Sequence, residues 1–334
     1  MNDEKPSSDE PADEDAVDVT PAAASEAPEG PYWTTRRRFL VGGLATAAVA
    51  VGAVVGSAEG VLPGRVRTRR WLGVGAVDRS VPDLITREPI VGTFPSEARR
   101  TDVGWALWVP LGWEEEDRGR LPVVVVLHGR GADARGAFDV LGWHKFAAEA
   151  FGAGTPPFAL VAVDGGSTYW HPRSSGDDPV RMITQELLPR VREEGVGGPV
   201  GVWGWSMGGF GALTLARESV AGRLQAADGP LRISAVAASS PALFTSAGEA
   251  SRGAFDGDDD WRRWGDLLGG PRPDVPTQVL CGADDPFADA TRAYVSRTPG
   301  TAGGVVAGRH DNGFWRWSAP RQIEFLGRSL AAVA

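Results

Sequence analysis

The sequence predicts an α/β fold in which helices cover both faces of a mainly parallel central sheet. Unbroken apolar runs, such as the Val-rich residues 121–127, alternate along the chain with stretches of helical periodicity. Such runs are typical of strands buried on both faces, and their alternation with helices favours parallel pairing. A chain of 334 residues is long enough for one sizeable core with appendages, or for two small domains.

The first 30 residues differ in composition from everything that follows. They hold ten Asp or Glu residues and one Lys, a net charge of −9 that equals the formal charge of the whole chain. The other residues are therefore balanced in charge, which gives no indication of binding to nucleic acid. So acidic a segment, with few large apolar residues, cannot bury enough surface to offset chain entropy. We predict that residues 1–34 form a disordered tail, either a solvated extension or a docking segment.

Residues 35–58 have the features of an export signal. Residues 35–40, Thr-Arg-Arg-Arg-Phe-Leu, resemble the twin-arginine motif, and the uncharged, Ala- and Gly-rich stretch 39–56 overlaps and follows it. This stretch is only modestly hydrophobic, and its length is near the lower limit for spanning a bilayer. We expect recognition by the twin-arginine export machinery, followed by cleavage near Ser57 or by retention of 39–56 as a membrane anchor. Either alternative leaves the body of the protein extracellular or in the cell envelope.

A lead-in segment, residues 59–89, is expected to precede one domain over residues 90–334. In mainly parallel sheets, chemistry gathers at the carboxyl ends of the strands, so the loops after the strands should hold the functional residues. The predicted strands are 90–94, 104–109, 121–127, 158–163, 200–205, 233–238, 278–281 and 304–306. The predicted helices are 138–150, 180–194, 207–219, 287–296 and 314–330.

One of these loops contains a candidate nucleophile. Residues 204–208, Gly-Trp-Ser-Met-Gly, match the Gly-x-Ser-x-Gly pattern of a nucleophile elbow, between a predicted strand and a predicted helix. A sharp turn there lifts the serine hydroxyl clear of the sheet, and glycines two positions away on either side avoid collisions. The positive end of the helix dipole lies near the expected oxyanion. Ser206 is therefore the candidate nucleophile.

Residues 204–213, Gly-Trp-Ser-Met-Gly-Gly-Phe-Gly-Ala-Leu, resemble the elbow of the putative-esterase family of the α/β-hydrolase superfamily. This family includes S-formylglutathione hydrolases, feruloyl esterases and the mycolyltransferases of actinobacterial cell walls. The resemblance extends over residues 93–326, with further motifs at 127–131, 164–171, 281–287 and 308–315. It implies the α/β-hydrolase fold and a serine esterase with a Ser-Asp-His triad, which forms an acyl-enzyme and needs neither a cofactor nor a metal ion.

In that fold the triad residues follow one another along the chain as serine, acid and histidine. His310 is the only histidine after Ser206 and directly follows the last predicted strand, so it is the candidate general base. The acid is expected after the preceding strand, where Asp284 and Asp285 are neighbours. The resemblance selects Asp285, three residues after Gly282, and leaves Asp284 as the alternative.

The resemblance also implies an oxyanion hole of two backbone N–H groups. One is expected from Met207, which follows the nucleophile. The other is expected from Arg130, which follows His128-Gly129 at the end of the Val-rich strand. The Arg130 side chain is then free for another contact, such as one with substrate, whereas His128 is expected to be a structural loop residue.

Residues 164–171 follow another predicted strand and are expected to border the cleft. Trp170 and His171 are candidate substrate contacts, and ordinary loop packing is the alternative for both. Trp143, Trp205 and Trp315 also lie in or near motifs that form the cleft. Aromatic walls suit an ester with an aryl, acyl or sugar group.

These features predict an exported serine carboxylic-ester hydrolase that acts on a small-molecule or cell-envelope ester. One alternative is an acyltransferase of mycolyltransferase type that acts on cell-wall sugars. Another is a non-catalytic binding protein of the same fold, and peptide hydrolysis by the same machinery is a third. No His/Cys cluster indicates a metal site, and no loop has the pattern that binds phosphate.

Overall fold

The computed structural model of the chain describes residues 75–269 and 274–334. The predicted acidic tail (1–34), the export segment (35–58) and residues 59–74 of the lead-in lie outside the described residues. What the sequence predicts for them, including the domain limits, stays a prediction. Within the described part, no helix is both long enough and apolar enough to cross a membrane.

A mixed sheet of eight strands forms the centre of the fold, and a two-stranded hairpin lies apart from it. The strands are β1 (Ile90–Ser96), β2 (Thr101–Trp108), β3 (Val123–Leu127), β4 (Ala159–Val163), β5 (Val200–Trp205), β6 (Gln225–Ala226), β7 (Gly229–Pro230), β8 (Ile233–Ser239), β9 (Thr277–Gly282) and β10 (Ala302–Val306). The order in the sheet is β1-β2-β4-β3-β5-β8-β9-β10, and β6 pairs with β7. Strand β2 runs antiparallel to both its neighbours, and the other neighbouring strands of the eight-stranded sheet are parallel.

Helices and helical turns connect the strands. In residues 75–269 and 274–334 the α-helices are α1 (Trp143–Gly152), α2 (Pro179–Arg181), α3 (Leu188–Glu193), α4 (Met207–Val220), α5 (Asp258–Asp260), α6 (Ala288–Arg297) and α7 (Asn312–Ala331). Three π-helical turns lie at Gly136–Val140, Met182–Leu187 and Trp261–Gly265, and two 3-10 turns at Arg118–Arg120 and Ala247–Glu249.

The two faces of the sheet carry separate apolar cores. All five residues of β3 are buried, and successive side chains point to opposite faces. Val125 belongs to the core that contains Phe210 of α4. Val126 belongs to the core that contains Trp143 of α1 and Ile323 of α7. Full burial of one such side chain stabilises the folded state by about 1.5–3 kcal/mol. The unbroken apolar runs therefore favour a sheet that is buried between two layers of helices.

The predicted fold class is confirmed: the sheet is mainly parallel and helices cover both faces. Each of the eight predicted strands is present, with ends within three residues of those expected. The single helix expected over 138–150 is wrong, because a π-helical turn ends at Val140 and α1 begins at Trp143. Gly142 between them has φ +65°, a left-handed conformation that interrupts a right-handed helix.

The described part of the lead-in packs along the domain. Asp78 accepts two hydrogen bonds of 2.9 Å from the guanidinium of Arg316 on α7. Arg79 donates to Glu149 of α1 at 2.9 Å. A Cβ on Gly313 would lie 2.6 Å from the carbonyl oxygen of Val77, so the segment lies directly against the start of α7. This end of α7 follows the loop that carries His310.

Candidate active site

Ser206 lies in a sharp turn between β5 and α4. Its backbone has φ 55° and ψ −119°, a strained conformation for a residue with a side chain. The Ser206 N–H donates to the carbonyl of Ser239 at 2.9 Å, and its own carbonyl accepts from the N–H groups of Phe210 at 3.1 Å and Ala242 at 3.0 Å. These bonds tie the turn to β8 and hold the strained residue in position.

The two glycines of the elbow are required by close backbone approach. A Cβ on Gly204 would lie 2.2 Å from the carbonyl oxygen of Gly208. A Cβ on Gly208 would lie 1.9 Å from the carbonyl oxygen of Leu127, at the end of β3. The start of α4 therefore lies directly on the loop that follows β3.

Ser206, His310 and Asp285 form a continuous hydrogen-bonded chain. The distance from Ser206 Oγ to His310 Nε2 is 2.9 Å, and the distance from His310 Nδ1 to Asp285 Oδ2 is 2.8 Å. Since a carboxylate only accepts, Nδ1 carries the proton and Nε2 is free to accept from the serine hydroxyl. The His310 ring lies between the edges of Phe287 and Trp315, each with a centroid 5.3 Å away.

Two glycines bring the segments that carry Asp285 and His310 together. A Cβ on Gly282 would lie 2.4 Å from the carbonyl carbon of Gly308, so the end of β9 touches the loop after β10. Asp285 is almost fully buried, and its second oxygen accepts from the Phe287 N–H at 2.8 Å. The neighbouring Asp284 is also buried, and its N–H donates to the carbonyl of Gly308 at 2.9 Å. Asp285 is the carboxylate that His310 Nδ1 contacts.

The backbone N–H groups of Met207 and Arg130 are available for a ligand. Neither donates a hydrogen bond to another group within the described residues. Met207 is the first residue of α4, where an N–H has no partner inside the helix. Arg130 follows Gly129, and a Cβ on Gly129 would lie 3.4 Å from the Cβ of Ser206. Both N–H groups therefore belong to segments that adjoin the nucleophile.

A cleft of about 500 Å³ opens beside Ser206 and His310. Val140, Leu141, Trp205 and Trp315 give it an apolar wall, and residues 129–133 form the opposite rim. The guanidinium of Arg130 donates to the carbonyl of Arg252 at 3.2 Å, so this side chain spans to the loop that follows β8. The size and apolar wall of the cleft suit a compact acyl or aryl group next to Ser206.

The chain was compared with known families, proteins and structures. The family model described as "Putative esterase" matches residues 96–262, which is half of the chain. The chain belongs to this esterase family. No curated protein sequence matches it significantly.

Solved structures similar to this esterase share its fold at low sequence identity. A ferulic acid esterase is 18% identical with a TM-score of 0.58, over 73% of this chain and 98% of that one. An S-formylglutathione hydrolase from Agrobacterium tumefaciens is 16% identical with a TM-score of 0.55, over 74% and 100%. A ferulic acid esterase from Anaeromyces mucronatus, in complex with ferulic acid, is 16% identical with a TM-score of 0.55, over 77% and 96%. The fold is that of the α/β-hydrolases, and the family is that of carboxylic-ester hydrolases.

Trp170 and His171 of this esterase lie buried outside the cleft, whereas the sequence predicts both as candidate substrate contacts. Both side chains are fully buried, and neither lines the cleft. A Cβ on Gly165 would lie 2.2 Å from the Trp170 ring, and a Cβ on Gly211 would lie 2.6 Å from the Trp170 Cβ. Trp170 is thus wedged between the loop after β4 and helix α4.

His171 packs away from the cleft against the segment that follows β8. Its ring stacks on Phe255 and on Trp264, with centroids 5.2 Å and 5.8 Å away. Its ring nitrogens lie 3.0 Å and 2.9 Å from the carbonyl oxygens of Pro172 and Ala254. Burial lowers the pKa of this histidine. Loop packing, the alternative for both residues, is what the structure shows.

Sequence reasoning missed part of the cleft. Trp205 and Trp315 line it as their motifs indicated, but Trp143 is buried and stacks on Trp203 with ring centroids 3.5 Å apart. Val140 and Leu141 also line the cleft, although they lie within the stretch 138–150 that the sequence predicts to be one helix. The helix is interrupted at Gly142, and Val140 before it is exposed. In the sequence, the only indication of this interruption is a single glycine.

Proposed function

We propose that this esterase hydrolyses carboxylic esters through an acyl-enzyme on Ser206. The observation that carries the proposal is the chain of two hydrogen bonds, 2.9 Å from Ser206 Oγ to His310 Nε2 and 2.8 Å from His310 Nδ1 to Asp285 Oδ2. A nucleophile in contact with a base that is itself oriented by a third group is the arrangement that activates a serine.

In the acylation step, Ser206 Oγ attacks the ester carbonyl carbon while His310 Nε2 takes the hydroxyl proton. As the new bond forms, the carbonyl π electrons move onto the carbonyl oxygen of the ester, and this oxyanion accepts hydrogen bonds from the N–H groups of Met207 and Arg130. His310 then gives its proton to the departing alcohol as the carbon–oxygen bond breaks. Asp285 keeps the proton of the neutral imidazole on Nδ1 and stabilises the imidazolium.

In the deacylation step, water takes the place of the alcohol. His310 Nε2 accepts a proton from the water as its oxygen attacks the acyl carbon, and it returns the proton to Ser206 Oγ as the acid leaves. The same two N–H groups hold the second oxyanion. Every proton and electron pair in the cycle is carried by the triad, the substrate and water.

The cleft supports esters with a compact apolar acyl or aryl group as substrates. Its volume of about 500 Å³ and the wall of Val140, Leu141, Trp205 and Trp315 fit a short or medium chain or one aromatic ring. A related structure has ferulic acid bound, which is an aromatic acid of that size class. We therefore propose a small-molecule or cell-envelope ester of such an acid as the substrate class.

The test uses the purified full chain, p-nitrophenyl esters from acetate to laurate and a fluorophosphonate probe. We expect ester hydrolysis and covalent labelling in the wild type, and loss of both in Ser206→Ala because Ser206 supplies the hydroxyl that contacts His310 Nε2. Ser296→Ala is the matched control, since Ser296 is an exposed serine on α6. Folded wild-type protein that neither hydrolyses an ester nor reacts with the probe would remove the proposal.

We also propose export through the twin-arginine machinery, to the cell envelope or the outside. The twin-arginine pattern at residues 35–40 supports this, as does the single cysteine, because a chain folded before export has no need of disulfides. Replacement of Arg36 and Arg37 by lysine should keep the protein in the cytoplasm, whereas the same change at Arg65 and Arg67 should not. Equal export of both variants would contradict the proposal. Cell fractionation also shows whether residues 39–56 stay attached as an anchor.

A further inference from the structure

His128 is a buried histidine that the proposed reaction does not use. It follows β3 and is only 1% exposed. Its Nδ1 lies 2.8 Å from the carbonyl oxygen of Gly129, and the N–H of Gly165 donates to its Nε2 at 2.9 Å. A carbonyl oxygen only accepts and an N–H only donates, so these partners select the neutral imidazole with its proton on Nδ1.

The loop after β4 holds the imidazole in place. Besides the Gly165 bond, Trp170 Nε1 donates to the carbonyl of His128 at 3.2 Å, and the two rings meet edge to face at 5.1 Å. Burial lowers the pKa of His128. A proton on Nε2 would also point at the Gly165 N–H, so two donors would face each other in place of the present hydrogen bond. The ring is therefore held as a neutral donor with its proton on Nδ1.

The acceptor of that donor belongs to a peptide unit beside the nucleophile. The carbonyl of Gly129 accepts from His128 Nδ1 and also from the N–H of Ala132 at 3.1 Å. In a trans peptide the C=O and the following N–H point in opposite directions. Two donors on the Gly129 oxygen thus fix the direction of the Arg130 N–H. A Cβ on Gly129 would lie 2.7 Å from Trp205 Nε1 and 3.4 Å from Ser206 Cβ, so the Gly129 Cα lies close to the turn that carries Ser206.

We propose that His128 is a positioning residue for the oxyanion hole: its Nδ1–H holds the Gly129–Arg130 peptide so that the Arg130 N–H faces the oxyanion. The inference rests on the proposed function and adds a residue to it. Preorganised donors stabilise a transition state because they need not reorient when charge develops. Loss of the Nδ1–H bond should therefore act on the chemical step more than on substrate binding.

Two substitutions separate this role from loop packing. In His128→Asn, the side-chain amide nitrogen can take the position of Nδ1 and donate to Gly129, but the acceptor for Gly165 is lost. In His128→Gln, the amide oxygen can take the position of Nε2 and accept from Gly165, but the donor to Gly129 is lost. Both variants are measured as full chains, with urea unfolding to establish that each is folded.

We expect His128→Gln to lower kcat by about 10–100-fold with little change in KM, somewhat less than removal of an entire oxyanion donor. A trifluoromethyl ketone, which forms an oxyanion on Ser206, should bind this variant more weakly by a similar factor. His128→Asn should keep kcat within about fivefold of the wild type, as partial rescue by a donor at the Nδ1 position. Equal losses of kcat in both variants, or an unchanged kcat in His128→Gln, would overturn the inference.

A second measurement stays informative even when both variants fail to fold. The ¹⁵N resonances of the His128 ring in the wild type should show a protonated Nδ1 and an unprotonated Nε2 from about pH 6 to pH 9. Protonation on Nε2 in that range would overturn the inference. The two proposals also fail differently: a wild type without esterase activity removes the proposed function, whereas an active wild type with an unimpaired His128→Gln removes only the role of His128.

Discussion

The Cα of Gly208 lies against the carbonyl oxygen of Leu127, so close that a Cβ there would be 1.9 Å from this oxygen. The contact joins the first turn of α4 to the end of β3, and so it sets the distance between Ser206 and the loop that carries Arg130. The clashing atom is a backbone oxygen at the end of a fully buried strand, and unlike a side-chain atom it cannot move aside by rotation.

Gly208→Ala should therefore lower both stability and activity. We expect the free energy of unfolding to fall by about 3 kcal/mol or more, the upper end of the overpacking range. The rate of fluorophosphonate labelling should also fall, because the added methyl group pushes the turn at Ser206 away from the loop that carries Arg130. Urea unfolding and labelling kinetics check the two effects.

The matched control is Gly152→Ala. Gly152 is the last residue of α1, and a Cβ there meets no atom within 4 Å. Alanine should be neutral or stabilising by up to about 1 kcal/mol at this site. Similar losses in both variants would show that the contact with Leu127 is not the cause.

Asp285→Asn should reduce kcat strongly while the protein stays folded. An amide in place of the carboxylate no longer fixes the proton on His310 Nδ1, and the wrong tautomer cannot accept from Ser206. The loss expected from such a change is about 10³–10⁴-fold in kcat. Steady-state kinetics on p-nitrophenyl acetate measure it.

Asp284→Asn is the comparison, since Asp284 is the neighbouring acid that the sequence left as an alternative. Its backbone N–H bond to Gly308 survives the substitution, so kcat should stay within about tenfold of the wild type. A larger loss in Asp284→Asn than in Asp285→Asn would exchange the roles of the two residues.

Val140→Phe should narrow the cleft and change the preference for chain length. Val140 lines the cleft and is 50% exposed, so a larger side chain can be accommodated without disturbing the core. We expect kcat/KM to fall by about tenfold for p-nitrophenyl octanoate and by less than about twofold for the acetate. Val220→Phe is the control, because Val220 is 45% exposed and lies at the far end of α4, about 20 Å from Ser206. Parallel losses for both esters would show that Val140 does not face the acyl group.

The sheet and the loops that carry Ser206, Asp285 and His310 could be predicted because they leave local signals in the sequence. Strands such as β3 are short runs of Val in which every position is buried, and the elbow needs glycine at 204 and 208 for steric reasons. Chain order then singled out His310. The choice of Asp285 over Asp284 needed a family resemblance, because the two carboxylates share one loop and only the geometry separates them.

The loop after β4 could not be predicted in the same way. Tyr169 and Trp170 both have φ 58°, a left-handed conformation that turns the Trp170 ring inward. The space that receives the ring is made by Gly165 and by Gly211, which is 46 residues later and on another element. From the sequence alone, an aromatic residue in a loop at the carboxyl ends of the strands is expected to line the cleft. The space that Gly165 and Gly211 leave for its ring is visible only in the structure. The ring lies edge to face with His128, at a centroid distance of 5.1 Å.

Glu218 is expected to stabilise the protein strongly above about pH 5. It is 2% exposed at the end of α4 and binds Arg217, Arg223 and Arg263. Burial raises the pKa of this carboxyl, but the hydrogen bonds from Arg223 and Arg263 prevail and lower it from 4.5 to about 2. A lowered pKa means that the stabilisation is present above the unfolded value of 4.5 and is lost as the pH falls toward 2.

Glu218→Gln should therefore lower the free energy of unfolding near pH 7 by about 3 kcal/mol, the lower end for a broken buried pair because two of the arginines are partly exposed. The difference from the wild type should shrink between about pH 5 and pH 3. Asp289→Asn, which breaks the ion pair of the 94% exposed Asp289 with Arg292, should cost less than about 1 kcal/mol. A pH-independent difference for Glu218→Gln would rule out ionisation of this carboxyl as the cause.

His144 should make the protein less stable as the pH falls below about 6.5. It is buried on α1, its ring faces the edges of Trp108 and Phe138, and its Nδ1 has no hydrogen-bond partner within the described residues. Burial, followed by the neighbouring charge of Lys145, lowers its pKa, and the weaker attraction of Glu88 and Asp139 does not offset this. The folded state thus keeps the imidazole neutral, while the unfolded chain takes up a proton.

His144→Leu should remove that dependence. In the wild type, one proton taken up on unfolding contributes a slope of up to about 1.4 kcal/mol per pH unit to the free energy of unfolding, below about pH 6.5. Urea unfolding at about pH 7.5, 6.0 and 5.0 should therefore give curves for the variant and the wild type that converge, or cross, as the pH falls. Carboxyl groups in the unfolded chain titrate below this window, so they add little to the difference. Parallel curves would show that His144 is protonated in the folded state as readily as in the unfolded chain, and that burial does not control its charge.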